Sequence, residues 1–174
     1  MTAGERSPGL ATRRLFATAT DYGMVTLPLA AMLGARIALG SRGGQALAWP
    51  PSAEAARTAQ WAVPALLTIP VAVGLGAADA RGGTPGKRVA GLAVRRADGS
   101  SPTSAQAVAR ALVKTALPWE LGHQAVVAFA TGHERRGATL AVAAHALMLA
   151  HCVCVWRGLR PLADVVAGTR VDAA

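Results

Sequence analysis

Three stretches of the chain avoid charge almost completely. From Leu15 to Ala35 the only formal charge is Asp21, and from Trp61 to Ala78 there is none. From Ala138 to Val155 there is again none, although His145 and His151 interrupt the run. An α-helix rises about 1.5 Å per residue, so about 20 apolar residues cross a hydrocarbon core of about 30 Å. A soluble domain seldom carries three such runs in 174 residues. A fourth stretch, from Ser104 to Thr131, is ambiguous. Arg110 and Lys114 lie four apart on one helical face, so its first half could rest along a membrane surface. Pro118 permits a kink, and the second half is too short to span alone. We read it as one long, bent helix whose basic start snorkels toward headgroups. The pattern therefore predicts a single all-α transmembrane domain over residues 1–174. It is a bundle of about four membrane-spanning helices, near 14–39, 61–79, 104–131 and 138–157, with a basic cytoplasmic loop. Residues 1–12 form a flexible cytoplasmic N-terminus and 158–171 a short closing segment.

Charge supports this layout and orients it. Charged residues make up 16% of the chain, against about 25% in an ordinary soluble domain. Lys and Arg outnumber Asp and Glu eighteen to nine, for a net charge of +9. A basic balance can mean nucleic acid, anionic lipid or cytoplasmic loops, and distribution decides between them. With both termini inside, thirteen basic residues fall on the cytoplasmic side and five (Arg36, Arg42, Arg57, Arg135, Arg136) on the other. That is the expected sign of the asymmetry. Trp61 and Trp156 sit at run ends, where indole rings anchor at interfaces. The basic segment from Arg81 to Arg96 lacks interleaved aromatics, so anionic headgroups are its expected contact and nucleic acid is not.

Several local patterns invite a more specific reading and do not sustain it. "TRRLFAT" precedes an apolar run as in a twin-arginine export signal, but Asp21 interrupts that run, no small-residue cleavage site follows, and more apolar runs come after. "GGTPGKRV" resembles a phosphate-binding loop, yet its spacing is one residue short and Arg88 stands where Ser or Thr would hold magnesium. Cys152 and Cys154 are too close for a comfortable disulfide within a helix and read as packed thiols. Ser41, Ser52, Ser100, Ser101 and Ser104 fall in expected loops without a recognisable His and carboxylate. No enzymatic activity, cofactor or metal is expected.

Three motifs then fall into a known order. "RRLFATATDYGMV" places an arginine before the first helix and an aspartate inside it; "GGTPGKRVAGLAVRRADG" follows the second helix; "RPLADVVAGTRV" closes the chain. This order, from Arg13 to Val171, resembles the RDD family of bacterial multi-pass membrane proteins, named for one arginine and two aspartates. The resemblance implies that the family arginine is Arg14 or its neighbour Arg13. It makes Asp21 the first aspartate and Asp164, in the D-x-x-x-G-T segment, the second. Where the family often has a histidine before that last aspartate, this chain has Ala163. An additional full helix, Ala138 to Trp156, precedes the closing motif. The resemblance implies a bacterial plasma-membrane location; transport has been suggested for the family, so it names a fold and a place better than a reaction.

The polar groups within the apolar runs are the candidate chemistry. Arg14 and Asp21 share a helix face but are about 10 Å apart along the axis, too far to pair directly. The expected arrangement is a bridged cluster, Arg14 with Asp164 and Asp21 with Arg110 or Lys114, supported by Lys87 and Arg88. Deeper in the bundle, the stretch "LPWELGHQ" puts Glu120 and His123 on one helix face. Asp21, Glu120 and His151 lie roughly 10–13 Å from the cytoplasmic ends of their runs, and His123 and His145 roughly 18–20 Å. Two polar layers are thus expected, the upper one a histidine pair. Such a column could carry protons or a cation through Arg14, Asp21, Asp164, Glu120 and His123. A neutral Glu–His pair gluing two helices would leave the same signature. A metal site is disfavoured because E-x-x-H occurs once and the bundle-type di-iron site needs it twice. No internal repeat of the alternating-access kind is present. Transport would then need an oligomer or a membrane partner. A non-enzymatic scaffold recruiting a protein at the basic face is the alternative.

Overall fold

A computed structural model describes residues 8–42 and 52–174 of the chain. Helix α1 runs from Pro8 to Arg42. Proline suits a first helical position because its φ is preset and its missing N–H would be unsatisfied there anyway. Residues 8–12, expected in a flexible tail, are therefore helical, as is Ser41, expected in a loop. The rest of that tail, residues 1–7, lies outside the described residues.

Two interrupted helices follow the same plan. Helix α2 (Ala53–Val63) leads through a π-helical turn, Pro64–Thr68, into α3 (Ile69–Ala80). Helix α5 (Ser104–Ala111) leads through a π-helical turn, Leu112–Ala116, into α6 (Leu117–Ala130). Each π turn ends two residues before a proline, Pro70 in one case and Pro118 in the other. A proline ring clashes with the carbonyl four residues back, and one wide turn relieves the clash without ending the helix. The bend expected at Pro118 thus takes the form of a π turn. The α2 start lies eight residues before the expected boundary, because the Ser52 side chain caps it by accepting from the Ala55 amide at 3.2 Å. The α5 start matches its expected boundary. Thr103 and Gln106 form a capping box there.

Between α3 and α5 the chain makes a short helix α4 (Pro85–Val89) and a strand β1 (Leu92–Arg96). After α7 (Glu134–Trp156) come α8 (Leu162–Ala167) and strand β2 (Thr169–Ala173). The strands pair antiparallel, with Val94 opposite Val171 and Arg96 opposite Thr169. The all-α expectation is corrected here: the basic loop and the closing segment each supply one strand. Five residues ending in two arginines read as a solvated loop until their distant partner is known. Leu92, Val94 and Val171 pack with Ala17 of α1, so the small sheet seats against the start of the first helix.

Among the described residues two helical stretches are long and apolar enough to cross a membrane. They are Ala53–Val89, mean hydropathy 1.8, and Glu134–Trp156, mean hydropathy 1.9. Only 17% and 11% of their most apolar windows is buried, so their apolar side chains point outward, unlike those of a soluble core helix.

Candidate functional site

The sheet end of the bundle holds a buried charge network. Asp21 comes from α1, Asp79 from the last turn of α3, Lys87 from α4, Arg110 from α5 and Asp164 from α8, and all five are buried. Arg110 bridges two of the acids, with Nε 2.5 Å from Asp164 Oδ1 and Nη1 3.0 Å from Asp79 Oδ2. A guanidinium can serve two carboxylates at once because its donors diverge in a fixed fork. Lys87 Nζ lies 2.7 Å from Asp79 Oδ1 and 4.0 Å from Asp21 Oδ2.

Local structure prepares each acceptor. The "GGTPGK" loop turns its donors on the acids: the Thr84 hydroxyl donates to Asp21 Oδ2 at 2.5 Å and the Gly86 amide to Asp21 Oδ1 at 2.8 Å. The Thr84 amide donates to Asp79 Oδ1 at 3.2 Å. The loop that resembles a phosphate cradle in sequence holds a carboxylate of its own chain instead. In the closing segment, Gly168 has φ +65°, the left-handed conformation that ends α8 and turns the chain back. That return brings the Thr169 hydroxyl to Asp164 Oδ1 at 3.2 Å. Arg160 donates to the carbonyls of Asp164 and Thr169, each at 3.0 Å. Burial by itself would raise the Asp164 pKa, but Arg110 and the Thr169 hydroxyl outweigh it and hold the carboxyl below the usual carboxylate range.

For Asp21 the partner differs from the one expected. Asp164 is served by Arg110, and Lys87 is the cation nearest Asp21. Arg14 donates from Nη2 to the Val171 carbonyl, tying α1 to β2. Arg13 does the same for the other strand's approach, donating to the carbonyls of Ala90 at 2.7 Å and Gly91 at 2.5 Å. Arg88 stands outside the network; it closes its own turn by donating to the Gly83 carbonyl at 2.9 Å. Lys114 faces the network, but its hydrogen bond goes to the Thr18 hydroxyl at 3.1 Å.

Asp79 is the residue that sequence reasoning missed. It accepts from Lys87, Arg110 and Thr84, more of the network than any other acid. Its signal was present: it is the acid that ends an otherwise uncharged run, three residues before a Gly-Gly turn. A cavity of about 30 Å³ lies beside Asp79, Lys87, Arg110 and Lys114, room for a water or two.

The Glu120–His123 stretch is a separate structure. Pro64 has no N–H to offer the Gln60 carbonyl four residues back, and Gln124 Nε2 donates to that carbonyl at 3.3 Å. His123 Nε2 lies 3.1 Å from the neighbouring Ala59 carbonyl, the contact of a ring N–H donor. Glu120 accepts from Gln124 at 2.7 Å and from the Thr68 hydroxyl at 3.4 Å. The polar side chains of α6 therefore clasp the α2–α3 helix at its proline. The expected histidine pair does not form. His145 is exposed and its ring lies 2.7 Å from the Ala141 carbonyl of its own helix. Among the described residues, no three His, Cys, Asp or Glu side chains gather closely enough to hold a metal ion.

No curated protein and no solved structure matches the chain. A sequence model of the RDD family does, over residues 8–167, which takes in Arg14, Asp21, Asp79, Arg110 and Asp164 and stops just short of β2. With that match covering most of its length, the chain belongs to the RDD family.

Proposed function

We propose that the chain is a multi-pass, non-enzymatic protein of the bacterial plasma membrane. In this reading it crosses four times with both termini cytoplasmic, α1 and the α5–α6 unit spanning alongside the two most apolar stretches. The inside excess of Lys and Arg supports that orientation. It also places the charge network near the cytoplasmic surface, where Arg81, Arg95 and Arg96 meet anionic headgroups. Single cysteines at Ser100, Thr131 and Ala174 test the layout. Ser100 and Ala174 label only from inside and Thr131 only from outside; labelling of Ser100 from outside overturns it.

Within that layout the network takes part in moving a proton or a small cation. The observation that carries this reading is the position of Lys87 between two carboxylates, 2.7 and 4.0 Å away, beside a cavity of water size. Shifting the ammonium from Asp79 toward Asp21 exposes a carboxylate to whatever enters the cavity, which is the exchange an ion path needs. The test is pH- and sodium-driven flux in proteoliposomes, with empty vesicles as control. Asp79→Asn and Asp21→Asn abolish flux while insertion persists, whereas Glu120→Gln, a change in the clasp, leaves most of it. Absence of flux from the unaltered protein sinks the transport reading.

A second reading is favoured by the clasp itself. Glu120, His123 and Gln124 are all engaged within the bundle, as in a scaffold whose buried polar groups are structural. The network then locks the closing strand in place, and the basic Arg81–Arg96 face recruits a cytoplasmic partner or a second copy. Retrieval of the same partner by the full chain, and its loss when those arginines are changed to glutamine, distinguishes this reading.

A further inference from the structure

Lys114 is a cation of the site that belongs to neither the ion pairs nor the clasp. Among the described residues no carboxylate oxygen lies within 4.0 Å of its ammonium, and its hydrogen-bond partner is the Thr18 hydroxyl. The backbone around it is opened by the π turn. Pro118 has no N–H for the Lys114 carbonyl, and the Tyr22 hydroxyl donates to it at 3.2 Å. Three cavities meet at this side chain. The charged groups lining them are Arg14, Lys87, Arg110 and Lys114 against Asp21, Asp79 and Asp164, so the lining has one positive charge in excess.

The largest of the three holds about 170 Å³ and is of a different character. It lies between α1, the π turn before α6, α6, α7 and α8, and among the described residues Lys114 is the only lysine, arginine or carboxylate in its lining. Thr18, Tyr22, Lys114 and His151 bring polar groups to the lining, and Leu147, Met148 and Leu162 are among its apolar residues. Met148 and Leu162 are half exposed, 49% and 52%. A lone ammonium in an otherwise largely apolar lining, part of which is half exposed, fits an anionic head with an apolar tail. The small volume admits one chain end rather than a diacyl lipid with its glycerol.

We propose that this cavity binds a single-chain anionic amphiphile, a long-chain carboxylate entering from the bilayer, with Lys114 as its counter-ion and Met148 and Leu162 along its tail. The experiment uses the full chain in phosphatidylcholine nanodiscs and oleate carrying ¹³C at the carboxyl carbon, read by NMR at fixed pH. A shifted carboxyl resonance is expected that saturates near one oleate per chain. Lys114→Gln weakens binding at least about tenfold, and Lys114→Arg, which keeps the charge, stays within about threefold. Met148→Trp fills the tail end without touching the network and weakens binding about fivefold or more. Methyl oleate, which has no charge, does not compete. Unchanged binding by both Lys114→Gln and Met148→Trp overturns the proposal, as does equal competition by the methyl ester. Displacement of oleate by phosphatidylglycerol at the same mole fraction assigns the cavity to a phospholipid headgroup and overturns the single-chain occupant.

Discussion

The Gly86 amide donates to Asp21 Oδ1 at 2.8 Å, joining α4 to a helix 65 residues away in the chain. Only glycine fits there. A Cβ at position 86 would stand 2.3 Å from the Ala17 carbonyl oxygen and 2.8 Å from the same Asp21 oxygen. The close approach of α4 to α1 is what allows a main-chain donor to reach a buried carboxylate, and it is set by the absence of one methyl group.

Gly86→Ala is therefore expected to push α4 off α1 and to cost about 1–3 kcal/mol, the usual range for overpacking. Gly74→Ala is the control, since a Cβ there meets nothing within 4 Å. Thermal unfolding in one detergent, read for both variants, checks the difference; equal midpoints would contradict the packing argument.

Removing Arg110 leaves Asp79 and Asp164 without their shared partner, and breaking such a buried pair typically costs about 3–5 kcal/mol. Arg110→Lys should rescue little, because one ammonium cannot reach both carboxylates as Nε and Nη1 do. Arg110→Gln combined with Asp164→Asn should cost less than the two single changes added. Strict additivity in denaturant titrations would mean that the two side chains do not act as a unit.

The clasp at Pro64 makes a conditional prediction. In the native chain Gln124→Leu orphans the Gln60 carbonyl and should destabilise by about 1 kcal/mol. In a Pro64→Ala background the helix supplies its own N–H to that carbonyl, so the same substitution should cost less. A double-mutant cycle measures the coupling, and a coupling energy near zero would sink the account.

Asp164 gives the site a signed pH dependence. Its carboxyl is held below the usual range in the folded chain, so it contributes stability that is fully present above its unfolded pKa of about 3.9. That contribution is lost as the pH falls through the lower, folded value. Asp164→Asn should remove it, flattening the acid limb of stability below about pH 4 relative to the native protein. Parallel acid limbs for the two proteins would show that another group governs acid unfolding.

The apolar runs and their order were legible in the sequence, because the length and apolarity of a helix are local properties. Asp21, Asp164 and the arginine at 14 or 13 were singled out through the order of three motifs that resembles the family. Pairing was not legible. Asp21, Asp79, Lys87, Arg110 and Asp164 come from five elements, and which cation serves which acid depends on distances that no local spacing encodes. The strands were hidden for the same reason, since Val94 and Val171 gain meaning as strand residues only when the closing segment returns to the middle of the chain. Glu120 and His123 show the division most plainly. Their spacing announced a common helix face, but their role came from Pro64 on another helix, whose missing N–H left a carbonyl that α6 had to satisfy. Sequence determined that polar groups would be buried together near one end of the bundle. Only tertiary packing decided their partners, because hydrogen bonds and ion pairs act over about 3–4 Å while the residues that make them lie tens of positions apart.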